Sequence, residues 1–329
     1  MAILAIYPYA KTLHVAVGHK TLSQTATFPL TNDYNYTISE EILPWLKTVN
    51  VSGKDLQFIV TSGQLSDQCL PSGIYLLDES LSFKGRTEGL HISSLLADLF
   101  NLSVYVIDPT SQLECNPHAF VTGTPDVLRT CSADNFVFKY LVREEARRRN
   151  LEQNDSNYIV CYLGEEQQMG ALVGTQVVDS LTSADEGPFG LTQSGSLPFD
   201  SVLDLCTLTG KREQALEVLN EEGGLRGYLG LNDLQELFVL DSDHAMLIRD
   251  ALTYQISKEI GALATVLQGK VQALILAGEL VNSDFIVQSI TERCGFVAPV
   301  SIYAGNQILP ALLAGAERII AQEPILNVS

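Results

Sequence analysis

A mixed α/β chain of two similar domains is what this sequence predicts, on three observations. The first 30 residues read as consecutive short strands. A polar, turn-rich stretch falls near the middle, and after it the same strand, turn, strand, turn, strand pattern opens again. At roughly 150 residues per domain, 329 residues also suit two domains.

In order along the chain, residues 3–6 and 13–17 are β-rich runs separated by Pro8-Tyr9-Ala10-Lys11, and 23–28 alternates polar with apolar. Further strands are expected at 56–60 and 104–107. Residues 135–149 read as a helix whose basic last turn complements a helix C-terminus. The run Leu-Glu-Gln-Asn-Asp-Ser-Asn at 151–157 is the natural junction. Strands are expected again at 158–163, 169–173 and 176–179. Over 244–267, Ile248, Leu252, Ile256, Ile260, Leu263 and Leu267 share one helical face. Residues 273–277 read as a fully buried strand ending at Gly278, and 300–303 as another ending near Gly305. The run 309–321 is a helix apolar enough to pack back on a sheet. The expected domains are 1–150, joined by the last helix at about 305–329, and 157–304.

Composition narrows the partners. Apolar residues are 46% and charged ones 18%, which suits a folded globule. Twenty Lys plus Arg against 39 Asp plus Glu leave a net charge of −19, so nucleic acid and membrane surfaces are not expected partners. Any anionic ligand has to be met by local Arg or Lys. No basic segment precedes Lys11, and the uncharged run 294–316 is broken by Pro299, Gly305 and Pro310, so the expectation is a cytoplasmic chain without a membrane helix. The six cysteines show neither CxxC nor Cys/His spacing and read as reduced thiols, neither disulfides nor a metal site.

No Walker A loop, GxSxG elbow, HExxH or GxGxxG is present. Glycine-rich strings supply the signal instead. They are Glu186-Gly187-Pro188-Phe189, Ser194-Gly195 with Leu197-Pro198, and Gly223-Gly224-Leu225 followed by Tyr228-Leu229-Gly230 and Asn232-Asp233. A second group is Tyr254-Gln255-Ile256, Lys258-Glu259-Ile260-Gly261-Ala262 and Gly269-Lys270-Val271. In order and spacing they resemble the C-terminal half of butyrate kinases, in the acetate and propionate kinase branch of the actin/hexokinase/Hsp70 fold. The N-terminal half is similar at Pro71, Gly73 and Tyr75, at His91-Ile92-Ser93, at Asp108-Pro109, and at Gly123, Pro125, Arg129 and Lys139.

The resemblance implies two ribonuclease-H-like domains, each a mixed five-stranded sheet with helices, around a cleft. It implies ATP and Mg²⁺ as cofactors, phosphoryl transfer to a small carboxylate such as butyrate, and assembly as a homodimer or as a hetero-oligomer with a related kinase. Carried over residue by residue, it makes Asp108 and His91 the catalytic candidates. Tyr7, Thr12, Gly164, Gly170, Gly187, Gly278 and Gly305 become the nucleotide-binding candidates.

Departures fall on the chemistry. The family's first phosphate loop, Asn-Pro-Gly-Ser-Thr-Ser-Thr-Lys, is replaced by Tyr7-Pro8-Tyr9-Ala10-Lys11-Thr12-Leu13-His14, and its His-Leu-Gly-Gly-Gly loop by Tyr162-Leu163-Gly164-Glu165-Glu166. Glu165 and Glu166 are open to two readings, a solvated turn or a Mg²⁺ site. Beside a phosphate about 4 Å away, each carboxylate would cost on the order of 4 kcal/mol. Ser62 and Gln193 stand where the family has the arginines that grip carboxylate and phosphoryl group. Asp134 replaces a histidine, Ser94 an asparagine, and Glu279 the second glycine of the adenine region. Phosphoryl transfer depends on positioning and positive charge. The expectation is therefore a butyrate-kinase-like protein whose acyl kinase activity is lost or very weak, acting by binding a partner or ligand. The alternative is a working short-chain carboxylate kinase using Lys11, Arg86 or Arg129 as substitutes. A third is another nucleotide- or metal-dependent activity.

Overall fold

The computed structural model describes residues 1–19, 22–65, 70–77, 87–109, 114–131 and 133–327. Arg86 lies outside them. The chain divides into two compact units. The first is Met1–Leu113 with Asp134–Tyr140 and Ile308–Ser329, and the second is Glu114–Ala133 with Leu141–Gln307. The division thus runs inside the helix at 135–149, between Tyr140 and Leu141. It also gives 114–133 to the second unit, whereas the composition shift at 151–157 suggests a later boundary.

The first unit is organised on a seven-stranded sheet, with strands β1 (Ala2–Tyr9), β2 (Thr12–His19), β3 (Leu22–Pro29), β4 (Leu56–Thr61), β5 (Ile74–Leu76), β6 (Val104–Ile107) and, near the C-terminus, β12 (Ile325–Leu326). Their order is β12-β5-β6-β4-β1-β2-β3. The resemblance implies five strands. The additional pair arises because β5 folds back antiparallel on β6 and the short β12 adds in parallel to β5. Ala2–Tyr9 is apolar enough to lie mid-sheet, and Ile3 to Ile6 are fully buried. Helix α1 (Glu88–Phe100) buries Ile92 and Leu96 against Leu4, Ile6 and Ile59.

The second unit repeats the meander. Strands β7 (Asn157–Leu163), β8 (Gln167–Val173), β9 (Gln176–Thr182), β10 (Ala273–Gly278) and β11 (Val300–Ala304) run in the order β11-β10-β7-β8-β9. This matches β6-β4-β1-β2-β3, so each unit has the same five-strand frame. Helix α2 (Asn135–Arg149) ends in Arg147, Arg148 and Arg149 as its sequence predicts. Helix α4 (Asp243–Val266) sets Ile248, Leu252, Ile256, Ile260 and Leu263 into a core with Ile159 and Leu274. Helix α3 (Phe199–Thr209) buries nothing. Helices α5 (Asp284–Cys294) and α6 (Ile308–Ile320) complete the main elements. Among the described residues no helix is long and apolar enough to cross a membrane.

Candidate functional site

In each unit the turn of the first hairpin holds a candidate phosphate loop. In the first unit Tyr9 pairs with Thr12, which leaves Ala10 and Lys11 as the turn, with Ala10 at φ +50°. Tyr7 and Tyr9 are both buried. The Tyr7 hydroxyl donates to Asp134, and its ring packs edge-on against Phe136 at 4.9 Å. Two positions that depart from the family together, Tyr7 and Asp134, are therefore bonded to each other. Thr12 spends its hydroxyl locally, donating to the Tyr9 carbonyl at 3.0 Å and meeting His14 Nε2 at 3.1 Å. Burial lowers the His14 pKa, so that imidazole favours its neutral form.

At the end of β6, Asp108 holds a left-handed backbone at φ +41° and is almost fully buried. Its N–H donates to the Gly73 carbonyl at 2.7 Å. Arg318, in the last turn of α6, donates Nη1 to Asp108 Oδ2 at 2.8 Å and Nε to Glu323 at 2.8 Å. Sequence reasoning misses Arg318. It is the one basic residue after Arg293, and a lone cation on so apolar a helix asks for a partner. Ser62 stands one strand away and donates to the Ile107 carbonyl at 2.9 Å. Lys139 is buried and donates to Ser72. His91 is exposed in the first turn of α1, stacked on Tyr34 at 6.0 Å. These contacts bring Asp108 to Arg318, and give His91 a place beside Tyr34 instead.

In the second unit Leu163 pairs with Gln167 across the turn 164–166. Glu166 is only 9% exposed, so the solvated-turn reading is corrected. The residues that follow β9 cover the turn. The Leu191 N–H donates to the Glu165 carbonyl at 2.6 Å, and the Gln167 N–H to Ser183 Oγ at 3.0 Å. Gln167 Nε2 closes the turn on the Gly164 carbonyl at 2.9 Å. Gly170 sits mid-strand in β8, opposite Val160 and Ser180. Gly187 holds φ +83°, where a Cβ would meet Leu181 at 2.5 Å, and its N–H donates to Ser196 Oγ at 2.8 Å. Gln193 presents a buried amide oxygen with no hydrogen-bond partner among the described residues.

Arg129 is fully engaged. It donates to Asp179 at 2.6 Å, to the Ser180 carbonyl at 2.8 Å, to the Ala119 carbonyl at 3.2 Å and to Glu186. As a substitute for a missing arginine it is already committed to two carboxylates.

Gly278 ends β10 at φ +98°, and a Cβ there would stand 2.3 Å from the Leu163 carbonyl oxygen. Gly305, at φ +78°, donates its N–H to the Gly278 carbonyl at 2.9 Å. Gly278→Ala is expected to destabilise the chain by about 3 kcal/mol or more, because strain and overpacking add. Thermal unfolding by circular dichroism measures it, and an unchanged midpoint would count against this geometry. Glu279 follows, its pKa raised by burial despite a hydrogen bond with Asn306. A carboxyl with a raised folded pKa stabilises below its unfolded pKa and loses that contribution as pH rises. Glu279→Gln is therefore expected to raise the melting temperature at pH 7, with the gain disappearing below about pH 4 in a pH series of melts.

The ATP and Mg²⁺ that the resemblance implies meet a poor donor set. Among the described residues no group of three or more His, Cys, Asp or Glu is arranged to hold a metal ion. Asp108 already faces a guanidinium, and the second loop carries carboxylates where phosphate needs N–H groups.

Comparison with known proteins agrees with the frame. The sequence model of the Acetokinase family matches residues 127–320, more than half of the chain. The chain is 32% identical over 295 residues to a probable butyrate kinase 2 of Caldanaerobacter subterraneus, covering 85% of this chain and 83% of that one. To butyrate kinase 1 of Clostridium acetobutylicum it is 29% identical over 296 residues, covering 86% and 83%. A propionate kinase structure from Francisella tularensis superposes with a TM-score of 0.76 at 15% identity, over 95% of this chain and 98% of that chain. An acetate kinase structure from Porphyromonas gingivalis gives 0.74 at 12% identity, over 97% and 99%. These two share the fold. From the family model and the relatives together, the chain belongs to the acetokinase family, on its butyrate kinase side.

Proposed function

We propose that this acetokinase-family protein has lost, or keeps only weakly, the transfer of a phosphoryl group from ATP to a short carboxylate, and works by binding a partner or ligand. One observation carries the reading: the side chains at the two arginine positions have no charge to offer. Ser62 is tied to the Ile107 carbonyl, and Gln193 carries a neutral amide. Arg129 is bound to Asp179 and Glu186 and does not substitute for them.

A second reading has its own observation. Arg318 lies 2.8 Å from Asp108, so a working carboxylate kinase would use this guanidinium as its replacement cation. Lys11 is exposed at the β1–β2 turn, which supports neither reading. Assembly with a second copy or a related kinase, in the cytoplasm, also belongs to the proposal. The exposed Phe199 and Leu203, one turn apart on α3, support it, because exposed apolar side chains on a helix with no buried residue are suited to a protein contact.

Calorimetric titration with ATP, with and without Mg²⁺, tests the leading reading. A dissociation constant in the millimolar range or weaker is expected, with no heat from butyrate. Micromolar Mg·ATP binding would overturn the strict form of the proposal.

A further inference from the structure

Two buried cysteines, Cys115 and Cys131, lie on segments that cover the outer edge of β9. That edge strand is covered by two segments of chain. The first is 114–116: Val177 N–H donates to the Glu114 carboxylate at 3.2 Å, Gln176 Nε2 to the Glu114 carbonyl at 3.0 Å, and Asn116 N–H to the Val178 carbonyl at 2.8 Å. The second is 129–131, where Arg129 Nη2 holds the Ser180 carbonyl at 2.8 Å and the Ser180 N–H points to Cys131 Sγ. Residues 178 and 180 are two steps apart on one strand, about 7 Å. The two covering segments are thus anchored on neighbouring positions of one strand. The Cys115 and Cys131 thiols indeed meet as hydrogen-bond partners, and both are buried. Arg129 Nη1 approaches Cys131 Sγ at 3.8 Å.

We propose that Cys115 and Cys131 form a reversible dithiol site that a peroxide converts to a disulfide, tying segment 114–116 to segment 129–131 along β9. This departs from the expectation of reduced thiols that form no disulfide. Cys131 is the attacking sulfur. The hydrogen bond from Cys115 lowers its pKa, and the Arg129 guanidinium adds to that, while Cys115 is pushed up by the same hydrogen bond and by burial. The Cys131 thiolate attacks one peroxide oxygen. An S–O bond forms, the O–O bond breaks and hydroxide leaves, taking up as water the proton that Cys131 released on ionising, so sulfur is oxidised to the sulfenic acid by two electrons and the peroxide is reduced. Cys115 then attacks the Cys131 sulfur. The S–S bond forms, the S–O bond breaks, and hydroxide leaves with the Cys115 proton as a second water. Between the anchors at Asn116 and Arg129, the stretch 121–128 exposes Val121, Val127 and Leu128 and bonds chiefly within itself, through the Val121–Leu128 bridge and the Thr122 hydroxyl. Local opening of such a segment admits a small oxidant.

Other thiols of the chain act as internal controls. Cys161 and Cys294 are buried with raised pKa values, burial being the main cause, and Cys206 is exposed on α3. The test treats the full chain with a modest excess of hydrogen peroxide, alkylates it with iodoacetamide in denaturant, and digests it without reduction for mass spectrometry. The expected result is a linked Cys115–Cys131 peptide pair in most molecules, two fewer alkylatable thiols, and full reversal by dithiothreitol. Cys115→Ser and Cys131→Ser should each abolish the linked species. Complete alkylation of both cysteines after peroxide, or separate oxidation of each to sulfinic acid, would overturn the proposal. The unsubstituted chain supplies both outcomes whether or not the variants fold.

Discussion

Arg318→Ala is expected to lower the stability of the first unit by about 3 kcal/mol, because it takes the guanidinium away from a carboxylate that is almost fully buried. Asp108 is 1% exposed, and its N–H is bonded to the Gly73 carbonyl, so the carboxylate sits where water does not reach it. The guanidinium, at 17% side-chain exposure, also bonds Glu323. The pair is therefore asymmetric. Asp108→Asn leaves a partly hydrated arginine with a second partner and is expected to cost about 1–2 kcal/mol. Arg318→Lys keeps the charge without the two-pronged geometry and should fall between them. Chemical denaturation of the three variants gives the ranking. A loss below about 0.5 kcal/mol for Arg318→Ala would mean that the contact contributes no more than an exposed surface pair.

The frame was readable because its strands are apolar runs closed by glycine or turn residues. Ala273–Gly278 and Asn157–Leu163 announce themselves in this way, and α4 does so by its regular isoleucines and leucines. Helix α3 left no such signal, since no apolar stripe of it meets a core. The short helix α5 gives as weak a signal, although Ser283 caps its first turn. At the site, replacements were visible as residue identities and their consequences were not. Tyr7 and Asp134 are 127 positions apart, and Asp108 and Arg318 are 210 apart. A single sequence carries no sign that such positions touch. Glu166 reads as solvated from sequence because turns usually are. The 183–195 segment that covers it is irregular chain, whose path has no period to read.

Shape retained and chemistry exchanged is the physical content of the proposal. Gly187, Gly278 and Gly305 keep left-handed backbones at the strand ends and turns where the family pattern has glycine. The cationic positions, by contrast, hold Ser62 and Gln193, and neither donates with charge. Each lost donor to a developing oxyanion lowers turnover by roughly 10²–10³, and losses that act together fall short of their product. Kinases of this chemical type turn over at about 1–100 s⁻¹. Butyrate-dependent release of ADP from Mg·ATP by the full chain is therefore the most direct measurement. A turnover below about 10⁻² s⁻¹ is predicted, and a rate of about 1 s⁻¹ or faster would contradict the account.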